Sequence, residues 1–403
     1  MLTIIAWRNL WRNRTRSLII TTSVALGMWA GTFIMAIYFG MGEARLRIAI
    51  DNEVSHIQVH HPGFADDKEA KYNMPMDSLD QVFQQIPAIK AYSLRSVTTG
   101  MLATTSGSQG IQVNGVDPAA EQATRGMKDF VQEGDYLDPE KRNRVLVSTK
   151  LAQKLKLDIG NKIVLTLLDT ANNITAGAFR ICGLYHTNNA PLDELNVFVR
   201  KSDLDHLIGT AGRAHEAAIL LHRDDDLDSV FQKLKQALPQ YRIERWQEIS
   251  PETALVLSSL DTYSLVFIFI ILLALSFGII NTMLMAVLER TREIGMLMAV
   301  GMNKLKVFGM VVWETIMLAV VGAPVGLLAA WLTTLWLGHT GINLGPVMGE
   351  SLRDFGYAPV IYPILPWHNV LQTMQLVLIT AVVAAIFPAL KALRLKPVEA
   401  IRT

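Results

Sequence analysis

The chain has 403 residues, of which 51% are hydrophobic and only 18% charged, with a formal net charge of +1. Charge that sparse is below the roughly 25% of an ordinary soluble domain, and the near-neutral balance gives no electrostatic case for nucleic-acid binding. The single cysteine, Cys182, excludes an internal disulfide; set in the apolar run Phe179 to Tyr185, it reads as a small buried hydrophobe.

Residues 1–16 are basic and aromatic (Trp7, Arg8, Trp11, Arg12, Arg14, Arg16) and read as a cytoplasmic interfacial helix, with tryptophans at headgroup depth and arginines in water. Residues 17–42 carry no charge. That run exceeds the roughly 20 residues needed to cross a bilayer and is too long for the roughly 7–15-residue apolar core of a cleaved signal peptide. Three further spans are expected at 262–288, 307–337 and 370–390, and four crossings return both termini to one side. Arginine and lysine crowd the first segment, the insert 289–306 and the tail 391–403, whereas the loop 338–369 has only Arg353. Both termini and the insert are therefore expected in the cytoplasm, and the large region 43–261 outside.

Within the spans, Gly27 and Gly31 stand four apart, as do Gly322 and Gly326, a spacing that lets helix backbones approach. Pro324 is expected to kink the third span and Pro388 the end of the fourth. Glu314, in the first turns of the third span, is expected to snorkel toward the cytoplasm or to pair with a base such as Lys306.

The outer region alternates strand and helix patterns. Strands are expected at Ser55 to His60, Tyr92 to Thr105, Gly110 to Val116, Lys162 to Leu168, Phe179 to Leu184, Asn196 to Arg200, Ala217 to Leu221 and Tyr241 to Trp246. Helices fit Asp77 to Gln85, a start at Asp117-Pro118, Thr149 to Leu157 and Leu227 to Ala237. The two ends carry similar strand–helix–strand units. The fold class is thus an α+β polytopic membrane protein: four transmembrane helices, with an extracytoplasmic α/β domain between helices 1 and 2. That domain comprises a split porter-like lobe and an inserted β-rich lobe. Helical continuations of the first two spans, about Met41 to Ile50 and Pro251 to Asp261, are expected to form a stalk beneath it.

No phosphate-binding loop, nucleophile elbow or His-Glu-x-x-His motif occurs, so the sequence supplies neither catalytic residues nor an ATP site of that kind. His56, His60 and His61 are read as strand-edge histidines rather than metal ligands, and Asp224-Asp225-Asp226 as an acidic turn and helix cap. The insert is more telling. Between two membrane-length runs it places a short helix-forming stretch, with Glu289, Arg290, Arg292, Glu293 and Lys304 offered to a partner and Ile294, Leu297 and Met298 as an apolar stripe. It reads as the handle by which a cytoplasmic ATPase moves this protein.

At three separated places the sequence resembles the permease family that includes the lipoprotein-releasing LolC/LolE proteins, the MacB exporters and FtsX. These are Trp7-Arg8-Asn9-Leu10-Trp11-Arg12-Asn13-Arg14-Thr15-Arg16-Ser17-Leu18, the coupling segment Glu289-Arg290-Thr291-Arg292-Glu293-Ile294-Gly295 with Gly301, and the C-terminal run from Phe387-Pro388 to Arg402. Val147 to Ala152 with Asp158 to Asn161 also resembles the inserted lobe of that family. The resemblance implies a permease dimer, its second subunit identical or homologous, in a bacterial inner membrane. It also implies two separate cytoplasmic ATPase subunits that hold ATP and Mg, with no cofactor in this chain. ATPase closure would pass through the coupling helix, spans and stalk to the periplasmic domain. The substrate would be a lipoprotein or other amphiphile taken from the outer leaflet, with a periplasmic carrier or adaptor as a further partner. A cavity lined by Met35, Tyr38, Phe39, Tyr263, Phe267 and Ile270 would receive it. The alternatives are MacB-like export of peptides or amphiphiles and FtsX-like regulation of a wall hydrolase. Two departures stand out: the hairpin Asp169 to Ala178 is short and lacks the proline of a LolC-type carrier hook, and Met298 replaces the family's commoner arginine.

Overall fold

The computed structural model describes residues 14–187, 189–354, 357 and 359–393. The interfacial helix expected at 1–16 and the tail expected at 391–403 therefore lie outside the described residues, apart from their inner ends. The chain forms two compact units: the described parts of Met1–Glu43, Ser258–Asn343 and Val360–Thr403, and a second unit of Ala44–Leu257 with Leu344–Pro359.

Four helices are long and apolar enough to cross a membrane: Ser17–Val54, Pro251–Glu289, Lys304–Thr340 and Val370–Leu393. Where a helix is apolar all round, water cannot tell one face from another, and contact is decided by shape. The first unit shows this. Ile20, Val24 and Met28 of the first helix pack with Leu275 and Ile279 of the second, Leu318 and Ala323 of the third, and Ala381 and Ala384 of the fourth. On the fourth helix the buried residues Ala381, Ala384, Ala385, Ala389 and Ala392 recur every three or four positions, a small-residue stripe on one face. Gly322 and Gly326 touch the first helix through its backbone: a β-carbon there would stand 2.8 Å from the Thr21 carbonyl and 2.2 Å from that of Ala25, respectively. Gly27 and Gly31 face side chains of the second helix instead, Leu275 and Ile271. Pro324 and Pro388 both lie inside continuous helices, and the fourth runs on past Pro388 to Leu393.

The second unit is built on a ten-stranded sheet: β1 (Ile57–His60), β2 (Ile89–Ala103), β3 (Ser108–Val116), β4 (Val131–Gly134), β5 (Arg144–Ser148), β6 (Lys162–Leu168), β7 (Ile174–Tyr185), β8 (Asn196–Arg200), β9 (Glu216–Leu221) and β10 (Arg242–Arg245). At one end the order is β10-β1-β9-β2, all antiparallel. Helices Met76–Gln84 and Leu227–Ala237 make the two crossovers, giving a split β-α-β arrangement. The chain between β2 and β9 is the inserted lobe. The lobes are not separate sheets, because β2 is one 15-residue strand that pairs with β9 over its first half and with β3 and β6 over its second.

Period-2 alternation splits the first four-strand region into two faces. Ile57, Val59, Ala217, Ile219, Leu94 and Ile243 face the two crossover helices and form a core with Leu79, Phe83, Val230 and Leu234. The opposite face is polar. Reading across the register, Arg242 stands opposite His60, His60 opposite Glu216, and Glu216 opposite Arg95.

Gly326→Val should cost the folded bundle at least about 1–3 kcal/mol, because the obstruction is the backbone of Ala25 and cannot rotate away. Gly27→Ala, which meets only the Leu275 side chain at 3.1 Å, should cost much less. Thermal unfolding of the two variants in detergent compares them directly.

Candidate functional site

Two polar constructions stand out, one in each unit. In the first unit the helix Thr291–Ala299 joins the second and third long helices. It ends where Gly301 adopts φ +99° and the Met302 amide donates to the Leu297 carbonyl (3.0 Å), a left-handed stop that favours glycine. Asn303 then caps the third helix, its Oδ1 accepting from the Leu305 amide at 3.1 Å.

The faces of this short helix differ from the sequence expectation at Arg290 and at the buried Ile294 and Gly295. Arg290 is turned inward: its Nε donates to Glu293 (3.2 Å) and its terminal nitrogen to both oxygens of Glu314 (3.3 and 3.4 Å). Its side chain is only 11% exposed, so Arg290 is a brace to the third helix and not a surface offered to a partner. Glu314, buried in a low-dielectric bundle, takes this near base in place of the expected excursion to solvent. Ile294 and Gly295 are buried and Met298 half-buried, whereas Glu289, Arg292, Leu297, Gly301 and Lys304 are exposed. Met296, Val300 and Leu305 add exposed apolar area. Beside this surface a cavity of about 480 Å³ opens between the short helix and the second and third helices, lined by Met283, Val287, Arg290, Leu297, Val311 and Glu314.

The expected substrate cavity is brought together only in part. Tyr38 and Phe267 meet edge to face with ring centroids 6.0 Å apart, and Tyr263 and Ile270 are exposed. Phe39 is half-buried. Met35, however, is 2% exposed and its sulfur accepts from Thr373 of the fourth helix at 3.4 Å. It packs the bundle and does not line an opening.

The construction in the second unit was not foreseen. Helix Pro118–Arg125 is started by Asp117, whose Oδ1 accepts from the amides of Ala119 (3.0 Å) and Ala120 (2.9 Å), and stopped by Gly126 at φ +63°. It packs onto the polar face of the sheet. There Arg95 Nε donates to Glu121 (2.8 Å) and its terminal nitrogen to Glu216 (2.6 Å), and Ser93 also donates to Glu121 (2.8 Å). Arg125 lies 3.7 Å from the other Glu121 oxygen and donates to the Glu53 carbonyl. Glu53 sits in the widened helical turn Ala49–Val54 that extends the first long helix. Its carboxylate takes two nitrogens of Arg45 (3.0 and 3.2 Å), and Arg45 also donates to Thr253, near the start of the second long helix (2.9 Å). The line of groups therefore runs from Thr253 and Arg45 through Glu53, Arg125 and Glu121 to Arg95 and Glu216.

Residues 265–397 match the family described as FtsX-like permease C-terminal, and residues 17–237, more than half the chain, match the MacB-like periplasmic core domain. The chain belongs to the MacB/FtsX family of ABC transporter permeases. An uncharacterised ABC transporter permease of Methanocaldococcus jannaschii is 22% identical over 68% of this chain and 65% of its own. The lipoprotein-releasing system transmembrane protein LolE of Haemophilus influenzae is 21% identical over 80% of this chain and 79% of its own. The macrolide export ATP-binding/permease protein MacB of Rhodopirellula baltica is 28% identical over 47% of this chain and 26% of its own. The permease thus spans 65%, 79% and 26% of these relatives' lengths.

Other charged groups of the permease resolve simply. His56 Nε2 bonds Asp224 (2.9 Å), His60 Nε2 bonds Gln58 (3.0 Å), and His61 stacks on Tyr72, so the three histidines serve three different partners. Asp226 begins its helix without a side-chain cap bond; the acidic turn instead sends Asp224 to His56 and Arg47. The Cys182 thiol donates to the Val145 carbonyl (3.3 Å), and burial raises its pKa to about 11. A partial clue to the ion-paired line was present in the sequence: Glu121 and Arg125 have helical i,i+4 spacing. Its partner Arg95 needs the fold to be seen.

Burial alone would push Arg95's pKa down, but Glu121 and Glu216 more than offset it. Burial likewise pulls Glu216 upward, yet Arg95, then His60 and Arg125, hold it down at about 2. Since that lies below its ordinary 4.5, the stability Glu216 contributes is fully present above about pH 4.5 and is lost as pH falls through about 2. Glu216→Gln should weaken that acid dependence and, by breaking a buried pair, cost about 3–5 kcal/mol at neutral pH. Unfolding midpoints of both proteins across that pH range test the sign.

Proposed function

We propose that this permease is the membrane subunit of a complex in which separate cytoplasmic ATPase subunits, holding ATP and Mg, drive motion in a periplasmic domain. The supporting observation is the short helix Thr291–Ala299, which carries an exposed mixed surface and is tied by Arg290–Glu314 to the third long helix. A push on Arg292, Leu297, Val300 or Lys304 would move that helix with the third rather than bend a loop. On this reading the insert and both termini are cytoplasmic, as the lysine and arginine bias favours, and the protein sits in a bacterial inner membrane as a dimer with an identical or homologous permease.

The outward end of the lever is the buried ion-paired line. The first long helix is continuous from Arg14 to Ile48, and the second from Pro251 to Glu289. Arg45 and Thr253, near their ends, are bonded to each other, and through Glu53 and Arg125 to the sheet. On this reading a shift of either helix reaches Arg95 and Glu216 through hydrogen bonds and one longer ion pair, Arg125–Glu121 at 3.7 Å.

The substrate we infer is a lipoprotein released from the outer leaflet, received near Tyr38, Phe39, Tyr263, Phe267 and Ile270 and passed to a periplasmic carrier or adaptor. Its support is the LolE relative, which matches over most of both chains. MacB-like export of a peptide or amphiphile is the second reading, favoured by the match of residues 17–237 to the MacB-like periplasmic core domain.

Three measurements bear on this. Cysteines placed at Arg292 and Val300 should react with a membrane-impermeant reagent only from the cytoplasmic side; labelling from outside would end the proposal. Replacing Glu293 with Ala and Gly295 with Leu together should lower transport roughly tenfold, within the usual range of coupling free energies, while ATP hydrolysis and membrane insertion persist. Finally, lipoprotein should co-purify with the nucleotide-free complex, whereas a small amphiphile in its place would favour the MacB-like reading.

A further inference from the structure

The third long helix has 37 residues, about 55 Å at the usual rise. That exceeds the roughly 40–45 Å of a bilayer with its headgroups. With the orientation proposed above, its last turns stand at the outer headgroup level. Trp331, Trp336, Tyr362 and Trp367 are all exposed there, as aromatic residues of a membrane interface are. Between this end of the third helix and the start of the fourth lies a cavity of about 640 Å³, with Pro324, Leu328, Trp331, Thr334, His339 and Val370 in its lining. One wall is the segment 363–365. It is anchored to the first helix, where the Ile364 amide donates to the Ala36 carbonyl (2.9 Å) and the Tyr362 carbonyl approaches Gly40 so closely that a β-carbon would stand 2.2 Å away.

Thr334 makes this cavity more than a gap between helices. Two other threonines of the same helix satisfy their hydroxyls on the carbonyl four residues back, Thr315 on Val311 (3.1 Å) and Thr333 on Ala329 (2.6 Å). Thr334 does not: it is 7% exposed, it lines the cavity, and its Oγ1 has no hydrogen-bond partner among the described residues. A buried donor in an apolar wall is costly unless an acceptor reaches it. At this depth the abundant acceptors are the ester carbonyls of lipid. Among the described residues the only titratable side chain in the lining is His339, with no carboxylate to repel a phosphate.

We propose that this cavity binds one glycerophospholipid of the surrounding bilayer. An acyl chain lies along Pro324, Leu328 and Trp331, an ester carbonyl accepts the Thr334 hydroxyl, and the phosphate meets His339 at the rim. The occupant wedges the outer ends of the third and fourth helices and is distinct from any cargo held by the first and second. The choice of leaflet rests on the proposed orientation; the site itself does not.

The test uses the full-length permease in nanodiscs containing phosphatidylethanolamine with a photoreactive diazirine on one acyl chain, with labelled peptides mapped by mass spectrometry. Label should concentrate on residues 328–335 and 367–370. Leu328→Trp, which fills the trough, should abolish that concentration. Thr334→Val, which keeps the shape and removes the hydroxyl, should lower it roughly fivefold, the effect of one net hydrogen bond. Label spread evenly over exposed positions such as Phe269 and Phe387, unchanged in both variants, would overturn the site. Excess triacylated lipopeptide should leave the label in place; displacement would overturn the bilayer-lipid assignment in favour of lipid-anchored cargo. None of these readouts needs an ATPase, and cysteine accessibility reports the orientation separately.

Discussion

Arg95 has almost no freedom. It is fully buried on a sheet whose other face is already committed to helices, and it must find two carboxylates within hydrogen-bond reach. Glu216 comes from the strand directly opposite, so the register of β9 on β2 is tied to that pair; a slip of one residue would send Glu216 to the apolar face. Glu121 comes from a helix that must therefore dock on the polar face, and Arg125, one turn later, then reaches Glu53. From the demands of one guanidinium follow a register, a helix position and the seat of the turn beyond the first long helix.

Such a line is a poor way to gain stability. Desolvating ions offsets most of what their attraction returns, and apolar residues of similar size often do as well or better. What ion pairs provide is direction: each bond has a distance and an angle, whereas apolar side chains slide. In the row across β10, β1, β9 and β2, His60 lies between Arg242 and Glu216, and burial lowers its pKa despite the nearby Glu216 and Glu244. Were the line to pass movement, as proposed above, directional contacts would suit it better than a slippery core.

The sequence made some of this legible and hid the rest for physical reasons. Charge-free runs longer than a bilayer and Asp117-Pro118 at a helix start are local signals, written within a few residues of the structure they specify. The alternation of Ser55 to His60 and Lys162 to Leu168 likewise marks strands without reference to any partner. Arg95 is different: its neighbours at 121 and 216 are brought near only by register, and register is not written in any one strand. That the split and inserted lobes share one sheet is hidden in the same way, because the partners of β2 change along its length. Arg290 was misread because a short helix with charges at 289, 290, 292 and 293 shows no clear outward face, and only the third helix, carrying Glu314, makes one of those charges turn in.

The two polar constructions both fix direction, with different numbers of parts to hold. Around Thr291–Ala299, Arg290 pairs with Glu293 and Glu314 inside an apolar bundle whose helices are held by close backbone contact at Gly322 and Gly326. A bundle fastened by shape resists separation of its helices, but shape alone does not say which way a short lateral helix will lean; one charge pair settles that. In the second unit the contacts are between a sheet, a capped helix and two helix ends, with Arg95 and Glu121 fully buried. There one pair would fix a single contact, and a connected series is needed to hold a sheet, a helix and two helix ends in one arrangement. The number of polar contacts in each unit thus follows from the number of parts each must hold in place.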